Sequence, residues 1–266
     1  MAAWRVHTST LFYRLLAALP DIDLFLDVGS LDGRESFTFE ALFPNIPVFA
    51  FEPNPHNIEV IQAEIARRYS HVTLEPFAVG NESGTSSFYV RIPLLTTGAD
   101  GTSSILMPRE ESHYSTSTIE VPLRRLDGMD SISASTKIAL WIDVEGAGYF
   151  VLEGLAGIVH KVQIVHIEVE TKTWFQGEKL APEIMQLMDS YGFELIGSNL
   201  DRHLQMPQGD LVFLHKSVLN SSVIRQAILR AWVIERLALP QLAYRLLPRK
   251  VFLAGRERLL QSAVSR

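Results

Sequence analysis

The sequence predicts a doubly wound α/β domain, and three observations carry that prediction. Five apolar runs rich in β-branched residues recur along the chain, helix-compatible stretches lie between several of them, and polar residues close four of the five. Strands of a parallel sheet are covered by helices on both faces and so read as near-continuous apolar runs.

The five runs are LFLDVG (24 to 29), IPVFAFEP (46 to 53), VTLEPFAVG (72 to 80), KIALWIDVEG (137 to 146) and VQIVHIEVE (162 to 170). RESFTFEALFP supplies a crossover helix between the first two. PHNIEVIQAEIARRYS supplies the next, with Pro55 suited to a first helical position and Ile58, Ile61, Ile65 and Tyr69 on one face. Residues 81 to 126 break the alternation: SSFYVRI and TIEVPLRRL read as strands around the Gly/Ser/Thr-rich TTGADGTSSI, which makes this segment an inserted hairpin region. Further on, APEIMQLMDSYG reads as a helix ending at Gly192, and FELIGSN and DLVFLHK as a terminal antiparallel pair. Five parallel strands followed by a reversed hairpin is the strand inventory of a class I methyltransferase (Rossmann-like) sheet; a nicotinamide-binding sheet lacks the reversed last strand. The expected layout is an N-terminal helical segment over 1–21, a sheet domain over 22–217 and a basic helical tail over 218–266.

Composition sets the class. With 266 residues, 47% hydrophobic and 20% charged, the chain has the profile of an ordinary globular protein. It contains no cysteine, which excludes disulfides and thiolate-bound zinc. The apolar run near the N-terminus is interrupted by Arg14 and lacks a small-residue cleavage site, so no secretory signal is expected, and cytoplasm is the expected location. The net charge of −6 conceals an asymmetry, because the stretch from Lys216 onward carries +8 and residues 1–215 carry −14. An acidic body repels phosphates, so no nucleic-acid partner is expected.

Open doubly wound sheets bind ligands beyond the carboxyl ends of their strands, where the informative residues should lie. The first run closes as Asp27-Val-Gly-Ser-Leu-Asp-Gly33, in which Gly29 and Gly33 allow a tight turn and a close backbone approach. This D-x-G-x-x-x-G spacing departs from the G-x-G-x-x-G of dinucleotide enzymes. Asp27 and Asp32 suit a ligand carrying an amine better than a pyrophosphate. The second run ends Phe51-Glu52-Pro53-Asn54, about 20 residues on, where an acid can accept both ribose hydroxyl protons of an adenosine.

LDVGSLDGRES, VFAFEPNPHN, PFAVGNESG, VPLRRLD, WIDVEGAGYFVLEG and VHIEVE occur in the order and approximate spacing of the FkbM-type methyltransferases, which this chain resembles over roughly residues 22 to 215. The resemblance implies a class I fold, S-adenosyl-L-methionine as donor, and transfer to a hydroxyl of a sugar, polyketide, lipid or similar acceptor. Carried over by position, Asp27, Gly29 and Gly33, with Ser30 between them, would form the methionine-side loop. Glu52 would bind the ribose beside Pro53 and Asn54, and Ala78, Val79 and Gly80 would line the adenine end. Many members have a lysine directly before the IDVEG segment; here Trp141 stands there, so a mechanism using that lysine does not transfer.

Methyl transfer is an in-line displacement, so the protein must align the acceptor oxygen and take its proton. Asp143, closing the fourth strand near the donor methyl, is the first candidate, and Glu168, near the end of the fifth, the second. Glu145 either points the same way or caps the next helix. An alternative makes Asp143 and Glu168 ligands of one Mg²⁺, a hard cation that favours oxygen donors. His166 reads as a core residue, His56 and His113 as surface ones, while Ser103 and Ser104 lie where a loop could reach the site. Rival readings are a nicotinamide enzyme on a related sheet and a non-catalytic module that kept the fold. For the basic tail, with Ile224, Ile228, Ala231 and Trp232 on one helical face, the alternatives are packing against the body or a second subunit, or peripheral contact with an anionic membrane.

Overall fold

The computed structural model describes residues 7–68, 70–93, 101–109, 114–200 and 207–236. In chain order the elements are α1 (Thr8–Leu16), β1 (Leu24–Val28), α2 (Arg34–Leu42), β2 (Val48–Phe51), α3 (Pro55–Arg68), β3 (Thr73–Glu75), β4 (Ala78–Val79), β5 (Gly84–Pro93) and β6 (Tyr114–Arg124). They continue with α4 (Asp130–Ser133), β7 (Ile138–Ile142), α5 (Gly148–Glu153), β8 (Val162–Glu170), α6 (Ala181–Ser190), β9 (Phe193–Ser198), β10 (Gln208–His215) and α7 (Ser222–Arg236).

Seven strands form one sheet in the order β3-β2-β1-β7-β8-β10-β9. The first five in that order run parallel, and β10 is antiparallel to both β8 and β9. This is the expected class I arrangement, with the reversed strand inserted between β8 and β9. Side chains alternate across the sheet. On β7, Ile138, Leu140 and Ile142 enter one apolar cluster with Val151, Leu152 and Ile184, whereas Ala139 and Trp141 enter another with Phe12, Phe25 and Phe39.

The run from 72 to 80 is two strands rather than one. Pro76 interrupts it because proline lacks the N–H that a sheet ladder requires. Thr73–Glu75 stays on the edge of the main sheet, while Ala78–Val79 leaves to pair in parallel with β6. With β5 antiparallel to β6, the 81–126 insertion is thus completed as a second, three-stranded sheet in the order β4-β6-β5. The fourth run is also shorter than its apolar pattern: β7 stops at Ile142, and Asp143–Gly146 forms a turn with Glu145 and Gly146 both at positive φ.

The expected helices over 34–42, 55–68 and 181–190 form, with Pro55 as a first helical residue and Ile61 fully buried. Beyond the sheet's limits, α1 sinks Leu11, Phe12, Leu15 and Leu16 into the second cluster, and α7 adds Ile224 and Ala231 to it. Among the described residues no helix is long and apolar enough to cross a membrane. Tyr69, His113, the Trp232 side chain and everything from residue 237 on lie outside the described part.

Candidate active site

A cleft of about 280 Å³ opens at the carboxyl ends of β1, β2, β7 and β8. β1 and β7 flank the point where the strand order reverses, the position at which doubly wound sheets leave a crevice. Gly29 is what brings the two strand ends together. Its φ is +84°, and a Cβ there would lie 1.8 Å from the Asp143 carbonyl oxygen, so no side chain fits.

Glu52 lies on the cleft wall at the end of β2 and is 4% exposed. Its Oε2 accepts from the Leu31 amide and its Oε1 from the Asn54 amide, both at 2.8 Å. Burial outweighs these bonds and pushes the carboxyl up to about 7. Asn57 hydrogen-bonds the Glu52 carboxylate, and beyond it Pro53, Phe77, Ala78, Val79 and Phe88 complete an apolar end.

Several residues named from sequence stand behind the wall rather than on it. Asp27 is 1% exposed, and its Oδ2 accepts from the Ser36 amide (3.0 Å) and hydroxyl (2.6 Å), tying β1 to the first turn of α2. Burial raises it to about 7. The Ser30 hydroxyl donates to the Asp27 carbonyl at 2.8 Å. Gly33 turns at φ +74° over the Phe37 ring, and Asp32 pairs with Arg34. Asn54 caps α3, its Oδ1 accepting from the His56 amide at 3.1 Å. Gly80 donates to the Arg124 carbonyl.

The opposite wall is acidic. One carboxylate oxygen each from Asp143, Glu145 and Glu168 lies within 4.8 Å of the others. Asp143 is reached by solvent through the cleft mouth yet is surrounded by protein mass, which raises its affinity for a proton; Glu168, deeper and flanked by Asp143, Glu145 and Glu170, is raised far more. Both carboxyls are thus held toward the protonated form. Gln208 Nε2 fixes Glu168 Oε1 at 2.9 Å. No lysine, arginine or histidine lines the cleft among the described residues.

Trp141 faces the other side of the sheet. It stacks on His166 with ring centroids 3.5 Å apart and receives the edge of Phe12. Burial holds His166 down to about 3, so it is a neutral core residue.

Sequence patterns singled out neither Phe88, which the insertion brings to the cleft, nor Asn57 and Glu170. Ser103 and Ser104 both line the cleft. Ser104 is 1% exposed and donates to the Glu145 carbonyl at 2.7 Å. Phe77 has a legible signal in hindsight, since it follows the strand-breaking Pro76.

The sequence profile of the methyltransferase FkbM domain matches residues 27–195. The chain belongs to the FkbM methyltransferase family. Its sheet, its cleft and the residues on both walls all fall within or beside that match. This FkbM-family protein is also similar to the 2-O-methyltransferase NoeI of Sinorhizobium fredii (strain NBRC 101917 / NGR234), at 26% identity over 199 residues, covering 70% of this chain and 75% of that one. Among solved structures it is similar to precorrin-6y C5,15-methyltransferase from Geobacter metallireducens GS-15, with 12% identity, a TM-score of 0.43, and 79% and 87% of the two chains covered. An rRNA methylase from Streptococcus thermophilus gives 10% identity, a TM-score of 0.44, and 81% and 98% coverage. The protein is a methyltransferase.

Proposed function

We propose that the cleft binds S-adenosyl-L-methionine and that the protein methylates a hydroxyl of a small-molecule acceptor, a carbohydrate or glycolipid. The carrying observation is the charge of the walls: Glu52, Asp143, Glu145 and Glu168 line the cleft and no cationic side chain does, among the described residues. Such walls attract a sulfonium and an ammonium and repel a pyrophosphate, which argues against a nicotinamide dinucleotide. The donor, when bound, supplies an electrophilic methyl carbon. Glu52 would hold the ribose hydroxyls beside the apolar end formed by Phe77, Ala78 and Val79. Asp143 would accept the proton of the acceptor oxygen, and Glu168 beside it would orient that oxygen. The 2-O-methyltransferase relative supports oxygen as the acceptor atom.

Calorimetry with S-adenosylhomocysteine and with NADH separates the donors: tight binding of the first alone is expected, and binding of NADH alone sinks the reading. Methyl transfer from labelled S-adenosyl-L-methionine to a panel of methyl glycosides then tests the acceptor class. Transfer to amines but to no glycoside would overturn it.

A second reading of the acidic wall rests on the close approach of its three carboxylates. Asp143, Glu145 and Glu168 offer hard oxygen ligands that fit Mg²⁺, which would neutralise their mutual repulsion and acidify an acceptor hydroxyl. Turnover that survives exhaustive chelation excludes it. The basic stretch from Lys216 would bring the cleft to a lipid-linked acceptor by meeting anionic headgroups. Sedimentation with anionic liposomes, comparing the full chain with one ending at Arg236, tests this part; equal binding by both counts against it.

A further inference from the structure

The Glu145–Gly146 peptide joins two consecutive left-handed residues, at φ 49° and 80°. Glycine adopts this region freely, but a glutamate does so only against steric resistance from its Cβ. Something must hold residue 145 there, because its backbone sets the direction of the carboxylate that meets Asp143 and Glu168.

Two buried side chains from separate parts of the chain grip that one peptide. Ser104 Oγ donates to the Glu145 carbonyl at 2.7 Å, and Glu170 Oε1 accepts from the Gly146 amide at 2.9 Å. They are 1% and 3% exposed. Each is itself anchored: Glu170 closes β8, while Ser104 exchanges backbone bonds with Tyr89 of β5 (2.8 and 3.2 Å) and its Oγ accepts from the Leu106 amide at 3.1 Å. A peptide has one carbonyl and one N–H to satisfy, so a grip on both opposes its rotation.

We propose that Ser104 and Glu170 are positioning residues that clamp the Glu145–Gly146 peptide and thereby couple the inserted sheet to the acidic wall. Neither side chain needs to touch the acceptor; both act through Glu145. The strand-like stretch around Ser104 reaches the same turn a second way. Pro108 bridges to Phe175, Arg109 donates its amide to the Trp174 carbonyl at 2.9 Å, and the Phe175 ring lies 2.7 Å from where a Cβ on Gly146 would fall. Glu178 Oε2 in turn accepts from the Trp174 and Phe175 amides at 2.6 and 3.0 Å. Displacement of the insertion is thus transmitted to residue 145. The catalytic meaning of the clamp rests on the methyl-transfer reading, whereas the clamp itself does not.

Amide hydrogen exchange of Gly146, followed by NMR in the full-length protein, tests it without any acceptor. S104A should speed this exchange about fivefold to tenfold, the fold-change of one lost hydrogen bond, while the Leu140 and Ile142 amides in β7 stay unchanged. E170Q keeps an acceptor oxygen and should leave the rate near wild type, whereas E170L should raise it. In an E145N background, S104A should have a smaller effect, because asparagine tolerates the left-handed region. With an acceptor in hand, S104A should lower kcat by roughly tenfold or more while donor affinity stays put, as misplacement of a reacting group does. An unchanged Gly146 rate in S104A overturns the clamp. So does a rate that rises equally along β7, which would mark general loss of stability.

Discussion

Glu52 is a residue whose chemistry is set by its surroundings. Its carboxyl, held near 7 by burial, must lose a proton before it can play the proposed part of accepting from two ribose hydroxyls. Donor affinity should therefore fall as pH drops below about 7, and E52Q should bind more weakly and lose that pH dependence; calorimetry across the range reads both. Replacing a charge-assisted bond costs about 1.5–3 kcal/mol, so the loss in E52Q should be tenfold or more. Across the cleft, the roles proposed for Asp143 and Glu168 predict unequal mutants. D143N removes the proposed base and should lower kcat by about 10²–10⁴-fold. E168Q keeps a hydrogen-bonding group for the proposed orienting role and should stay within a few-fold. Comparable large losses in both would instead favour the shared cation, and the same assays with chelator decide between them.

At the scale of elements, the outcome turns on which helices close the second apolar cluster. α1 precedes the matched family domain yet carries Phe12, which is fully buried against Phe25, Trp141 and His166. F12A should cost about 3–5 kcal/mol, measured by denaturant unfolding, because the sheet cannot collapse into the space left. The polar side of the same helix faces the site's periphery: Thr8 Oγ1 donates to Asp210 at 3.1 Å, and Tyr13 OH to Glu35 at 2.8 Å. An equally tight contact joins α5 to the insertion. A Cβ on Gly154 would lie 2.2 Å from the Gly80 carbonyl oxygen, so G154A should push β4 away from α5 and weaken donor binding through Ala78 and Val79. Donor affinity unchanged in a folded G154A would show that the cleft's apolar end does not depend on this contact.

Over the whole molecule, one face of the sheet's carboxyl end gathers acids that burial pushes toward the protonated form. Asp27, Glu52 and Glu170 are each raised to about 7 by burial. A carboxyl whose folded-state value lies above its unfolded one stabilises the fold fully below the unfolded value, and that contribution is lost as pH rises through the folded one. Stability of the free protein should thus decline from about pH 4 to beyond pH 7, against the usual behaviour of paired carboxylates. Thermal midpoints measured across that range check the sign, and a rise with pH would contradict it. S-adenosylhomocysteine should recover part of the loss through binding to the native state alone.

Four of the five strand runs, the reversed hairpin and the crossover helices were legible in the sequence because each rests on a local pattern: apolar runs of strand length, Pro55 at a helix start, and Gly192 at φ +82° after a helix end. Glu52 and Asp143 were legible for a related reason, since a polar residue closing an apolar strand marks the sheet's carboxyl edge. What the pattern could not carry is which side of that edge a residue serves. Asp27 and Ser30 share the motif of Gly29 but turn inward, toward Ser36 and the β1 backbone, because the glycine alone lets β1 pass against β7. Ser103 and Ser104 were legible in a loop able to reach the site, whereas Phe88 reaches the cleft, and Glu170 reaches Gly146, only through contacts between segments distant in the chain, which no neighbouring residue specifies.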